Sequence, residues 1–210
     1  MDGATEDAGA MLATPARTMN WSRIDAWTAF VLANDIAPIA EVFESAGAGT
    51  PEVHLSPRPE QISAEALRFL VQRWYHLRAS GSSPHLRHID PFALRPALGY
   101  LMVLEPVDGG RDFRYRLFGS SIARISGFDM TGRKLSEHPA RAYVSEFGIA
   151  VCRASLRGGQ PIYSTRHPVG AEFTTCWHRL ALPFVDDAGV PARILGGTVP
   201  VDAGGRVIRG

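Results

Sequence analysis

The sequence predicts an α+β fold: a five-stranded antiparallel sheet with covering helices, preceded by an N-terminal helical extension. Three observations carry this. Residues 100–118 read as two strands joined through the turn Asp108-Gly-Gly110, a hairpin signal. Apolar residues then recur at three- and four-residue steps from Tyr143 to Ala154, a long helix. Three strand-like runs close the chain at about 162–167, 173–184 and 193–201. Two strands, helices, then three strands is the segregated order of an α+β chain, not the alternation of a parallel sheet.

A chain of 210 residues with 45% hydrophobic content can bury one good core, so one domain plus an extension is the natural reading. The formal charge of +1 comes from 22 basic and 21 acidic residues, interspersed along the chain. Without a run of like charge there is no electrostatic footprint for nucleic acid or for an anionic membrane. No apolar stretch approaches the length of a membrane span, and the N-terminus lacks a basic-then-apolar leader, which predicts a cytoplasmic protein. Cys152 and Cys176 fit no metal-type spacing and read as small buried residues of a reducing compartment. Lys134 is the only lysine. Arginine supplies the remaining positive charge and suits bidentate contacts to carboxylates and phosphates, though composition assigns no such contact.

Taken in order, residues 1–20 are small and polar and read as a flexible N-terminus. A Ser-x-x-Asp start at Ser22 and Asp25 leads into Ile24, Trp27, Val31 and Leu32 on one helical face. Pro38 breaks that helix or begins another, with Ile39, Val42 and Phe43 as its stripe. Residues 47–61 hold three prolines and two glycines and read as a linker, completing a helical extension over 21–61. Ser63 is the expected cap of the clearest helix, where Leu67, Leu70, Val71, Trp74, Tyr75 and Leu77 share a face up to Gly81. That helix is expected to cover the core in preference to forming a dimer.

Asp90-Pro91 begins a short turn. In the hairpin, Phe113, Tyr115 and Leu117 fall on one face and Arg114 and Arg116 on the other, the period of a strand with one wet side. Ser120 caps a short helix containing Ile122, Ala123 and Ile125, and Asp129 to Gly132 is a turn. Pro139 begins the long helix, whose interior Gly148 costs about 1 kcal/mol relative to alanine. The turn Asp186-Asp-Ala-Gly189 joins the last two strands, and residues 202–210 form a tail expected to fray.

The hairpin ending Tyr115-Arg-Leu-Phe-Gly119, the short helix after it and Gly127-Phe-Asp-Met-Thr-Gly132 together resemble the opening of a PAS domain. Trp177-His-Arg-Leu-Ala-Leu-Pro183 followed by Ile194-Leu-Gly-Gly-Thr198 resembles the closing hairpin of the short, stand-alone bacterial PAS-like family. The resemblance covers about 62–201 and leaves the first 60 residues outside. It implies a five-stranded sheet wrapped around inner helices, with its first strand central. It also implies a sensory or interaction module that binds a small molecule or a protein partner. Haem-binding PAS domains use a histidine on the long helix, and none lies between Pro139 and Arg157, with His138 just before it. Nothing between Gly127 and Arg133 resembles the cysteine motif of light-sensing PAS domains. The resemblance therefore argues against haem and against covalent flavin.

Candidate chemistry is sparse. There is no Gly-x-Ser-x-Gly elbow, phosphate loop, dinucleotide fingerprint or His-Glu-x-x-His. Of the histidines, His85 and His88 sit three apart near Asp90 without a further ligand cluster, so solvated loop histidines are the default. His178 alternates with Cys176, Leu180 and Leu182 on a strand face that must go inside, where its ring needs a partner from the core or a ligand. The candidate ligand-binding set is Phe113, Tyr115, Leu117, Ile125, Tyr143, Phe147 and His178.

The leading functional expectation is a sensory module signalling in trans, or by homodimer formation, through the helix at 63–78 and the apolar segment from Ile24 to Phe43. Removing residues 1–58 is then expected to leave a folded core with altered oligomerisation. The alternatives are a small cone-shaped α+β enzyme, in which Glu105 and His178 transfer protons, and a ligand-free adaptor. Fold alone does not choose among them.

Overall fold

The computed structural model describes residues 18–81, 84–169, 176–202, 204 and 206–208. Most of the N-terminus expected to be flexible, residues 1–17, lies outside these, as do 173–175 of the fourth expected strand.

Helix α1 (Trp21–Leu32) starts two residues earlier than its Ser-x-x-Asp signal suggests, because Asn20, not Ser22, is the cap and accepts a hydrogen bond from the Arg23 amide at 2.9 Å. Helix α2 (Ala37–Ser45) carries Pro38 in its first turn, where no amide donor is needed. Residues 47–61 are more than a linker. Within them Glu52–Leu55 forms strand β1, flanked by Pro51 and Pro57, on a sheet edge where flanking prolines cost no ladder bonds. Helix α3 (Glu65–Ala79) follows without a side-chain cap, since the Ser63 hydroxyl faces His178 instead.

The hairpin is strand β2 (Leu101–Val107) and strand β3 (Asp112–Phe118). Helix α4 (Ser120–Ser126) and helix α5 (Ala142–Gly158) come next, α5 beginning three residues after Pro139 because Pro139 and Ala140 form a bend, in which the Ala140 amide donates to His138 Nδ1. Strands β4 (Ile162–Arg166), β5 (Cys176–Val185) and β6 (Pro191–Val201) complete the fold. The sheet is antiparallel throughout, in the order β1-β4-β5-β6-β2-β3. It thus has six strands, one more than expected, and β6 is the middle of the expected five. The first hairpin strand, β2, is interior but not central. The tail is partly held: Val207 bridges to Val201, and the Ile208 amide donates to the Pro200 carbonyl at 3.0 Å.

Both faces of the sheet are covered. On the inner face Met102, Leu104, Phe113, Tyr115, Ile162, Ala181 and Ile194 pack with α5, α1 and α2. On the outer face Leu101, Tyr163, Leu180, Leu182, Leu195 and Val199 pack with Leu67, Leu70, Val71 and Trp74 of α3, so α3 does cover a core. The fit there is close: a Cβ on Gly197 would come within about 3 Å of both Leu67 and Leu70. Helix α5 is buried on every side from Val144 to Ser155. Its second face is closed by α1 and α2, through Ile24, Trp27, Val31, Ile39 and Phe43.

Candidate functional site

Strand register sets the polar content of the inner face. Arg166 on β4 lies opposite Trp177 on β5, and Arg179 lies between Ser164 on β4 and Thr198 on β6. Side chains of one face recur at every second residue, so Arg166, Trp177 and Arg179 all point where α5 packs. Here the helices stand off the sheet and leave a cavity of about 350 Å³. Its wall is apolar and aromatic, with Phe118, Ile122, Phe128 and Trp177, and its polar groups include His138 and the two arginines. That volume falls within the roughly 300–1,000 Å³ of small-molecule sites. A second space of about 30 Å³, enough for one water, lies between Tyr115, Phe147, Cys152 and Arg179.

Both arginines are under-satisfied. Arg166 is 9% exposed, and neither its Nε nor that of Arg179 has a hydrogen-bond partner. Among the described residues no carboxylate pairs with either guanidinium. Arg166 rests 5.7 Å from the Trp177 ring centroid, a cation–π contact. Burial first, and the neighbouring Arg179 second, pull its pKa down to about 9, which still leaves it charged at neutral pH. Arg179 passes close to α5 at its glycine: a Cβ on Gly148 would sit in ordinary contact 3.4 Å from its Nη1 and 3.3 Å from Leu135. His138 packs edge-on against Phe128 at 5.1 Å, and its Nδ1 accepts from the Ala140 amide.

The sequence-derived set is only partly assembled. Phe113, Tyr115 and Phe147 meet on the inner face, where burial pushes the Tyr115 phenol up to about 12. Tyr143 stacks edge-on against Phe43, with centroids 4.8 Å apart. Leu117 points outward and Phe118 takes the inward place, because a bulge between Val103 and Leu104 shifts the β2–β3 register and breaks the alternation. Ile125 is half-buried and lines neither cavity.

His178 lies on the opposite face, its Nδ1 2.5 Å from the Tyr163 hydroxyl. Burial raises the Tyr163 phenol to about 12 and lowers His178, so burial favours the neutral form of each. The half-buried His178 ring thus has a partner within the chain. Glu105 is gripped by Arg116 and Arg193. Arg193 pairs with Phe184 and Val199 with His178, which puts Glu105 and His178 about 20 Å apart along β6. The proton-transfer pair is not assembled. His85 and His88 bond locally, His88 Nδ1 accepting from the His85 amide and His85 reaching Asp187. Among the described residues no three His, Cys, Asp or Glu side chains gather to hold a metal ion.

The PAS domain family model matches residues 62–199. The chain belongs to the PAS domain family. No curated protein and no solved structure matches it. In this PAS domain the cavity lies between the sheet and the α4–α5 region, wholly within the matched segment. Helices α1 and α2 and strand β1 precede the match, yet they complete its inner core. The cavity arginines escaped sequence reading because Cys176, His178, Leu180 and Leu182 look like the buried set of β5. With both faces covered, Ala181 is buried and Trp177 and Arg179 are half-buried on the inner face as well.

Proposed function

We propose that this PAS domain is a small-molecule sensor that signals in trans. A cavity of ligand size, apolar but holding the buried Arg166 and the half-buried Arg179 with no carboxylate partner among the described residues, is the observation that carries the reading. Helix α5 supports a route for the signal, because it lies between the inner face and α1. From α5, Glu146 is held by Arg23, and Arg153 pairs with Asp25 at 2.6 Å. A ligand that repacks the inner face would bias the seating of α1 and thereby a contact with a protein partner or a second copy.

Native mass spectrometry of the purified protein, compared with the denatured mass of the same sample, is the test. A discrete small-molecule increment lost on denaturation is expected. A bare folded mass would move the function to protein interaction without a ligand.

A further inference from the structure

Taking the cavity as a ligand site, we infer that its ligand is an organic carboxylate with an apolar, aromatic-sized body. The carboxylate lies between Arg166 and Arg179, and the body lies against Phe118, Phe128 and Trp177. The inference deepens the sensor reading and rests on it.

A buried guanidinium without a counter-charge is costly, and proteins keep such groups where an anion completes them. Here the buried Arg166 and the half-buried Arg179, neither with a carboxylate partner among the described residues, stand on adjacent strands, Arg166 directly opposite Trp177 and Arg179 two residue pairs further along on the same face. Each leaves Nε unpartnered. Adjacent like charges repel, so an anion between them removes both the unmet donors and the repulsion. Planar guanidinium forks match a carboxylate.

The apolar character of the cavity favours carboxylate over phosphate. The two hydroxyls in the wall are already committed, Ser126 to the Ile122 carbonyl and Thr198 to the Met102 sulfur at 3.7 Å. His138 Nδ1 is occupied by an amide. The guanidiniums, with about five N–H donors each, could meet either group, but a singly charged carboxylate costs less to desolvate in an apolar cavity than a phosphate near its second charge. The aromatic wall asks for an apolar body, which a free inorganic anion lacks.

Isothermal titration of the full chain with 4-phenylbutyrate, its neutral amide and inorganic phosphate tests this. The acid should bind saturably, with the amide and phosphate at least about tenfold weaker. Arg166→Met and Arg179→Gln should each weaken acid binding about tenfold or more and leave amide binding nearly unchanged. Near-ultraviolet circular dichroism confirms that each variant folds, and either variant alone suffices. Equal binding of acid and amide, or acid binding unchanged in a folded arginine variant, overturns the carboxylate assignment while the cavity stays a ligand site. Phosphate binding tighter than the acid replaces carboxylate by phosphate and also overturns it. Absence of saturable acid binding at millimolar concentration overturns it too, and the native mass then decides separately whether the sensor reading falls with it.

Discussion

The Arg23 guanidinium of α1 closes on the Glu146 carboxylate of α5, Nε to Oε2 at 2.7 Å, although Glu146 has no exposed side-chain surface. The other oxygen accepts from the Asn20 amide at 2.8 Å, so both acceptors of a buried charge are met by the residues that open α1. Breaking a buried pair from one side leaves the other charge uncompensated. Arg23 keeps some solvent contact, which places the expected loss for Arg23→Met or Glu146→Gln at about 2–4 kcal/mol. In urea unfolding the double variant should lose less than the sum of the two. Losses below about 0.5 kcal/mol in both single variants would show that α1 is seated by its apolar face alone.

The same contact revises the expected outcome of removing residues 1–58. Deletion strips Ile24, Trp27, Val31, Ile39 and Phe43 from the inner core and leaves Glu146 buried without its partners or newly exposed. The truncated chain should lose cooperative unfolding. A sharp thermal transition near that of the parent would restore the view that the extension is separable from the core.

Arg166→Met should behave unlike an ordinary core substitution. It removes a 9% exposed charge with no carboxylate partner among the described residues and keeps a stem of similar volume. Replacing a poorly compensated buried charge by an apolar side chain is neutral or stabilising by up to about 4 kcal/mol. Ligand-free protein should therefore show an unchanged or raised midpoint in urea. A clear loss of stability would mean that the guanidinium is already satisfied in the folded chain.

Much of this fold is legible in the sequence because periodicity reports burial directly. The stripe of Leu67, Leu70, Val71 and Trp74 and the hairpin at Asp108-Gly-Gly110 appear where they were expected. Strand β1 was hidden because four edge residues between prolines carry no period long enough to read. Leu117 and Phe118 exchanged roles because a bulge is a pairing property that one strand does not reveal. The site was the least legible part. Alternation assigns one face of β5 to the core, whereas Arg179 and Trp177 became interior only because helices cover the other face as well.

The approach of α3 to β6 at Gly197 gives a steric test. A Cβ there would reach 3.1 Å from Leu70 and collide with Leu67, both fully packed. Gly197→Ala should cost about 1–3 kcal/mol through overpacking. Leu67→Ala alone should cost about 2–5 kcal/mol through a cavity. Combined, the new methyl partly fills the space left by the leucine, so the pair should be less damaging than the sum. Additive losses in urea would place α3 further from the sheet.

Acid sensitivity follows from His178. Burial lowers its folded pKa below the ordinary 6.5, while the nearby Glu52 carboxylate opposes this and His167 adds to it. The folded state therefore binds fewer protons than the unfolded chain between the lowered value and 6.5, and stability rises with pH across that window. The contribution is complete above 6.5 and is lost as pH falls through the folded value. In the tautomer protonated at Nε2, protonation also removes the Nδ1 lone pair that faces the Tyr163 hydroxyl at 2.5 Å. His88, likewise lowered by burial and then by Arg87, contributes in the same direction. Comparison of parent and His178→Gln in urea at pH 5 to 8 separates the two, since the variant loses the His178 part and keeps that of His88. The slope of stability against pH should be shallower in the variant. Equal slopes would mean that His178 titrates as freely in the folded chain as in the unfolded one.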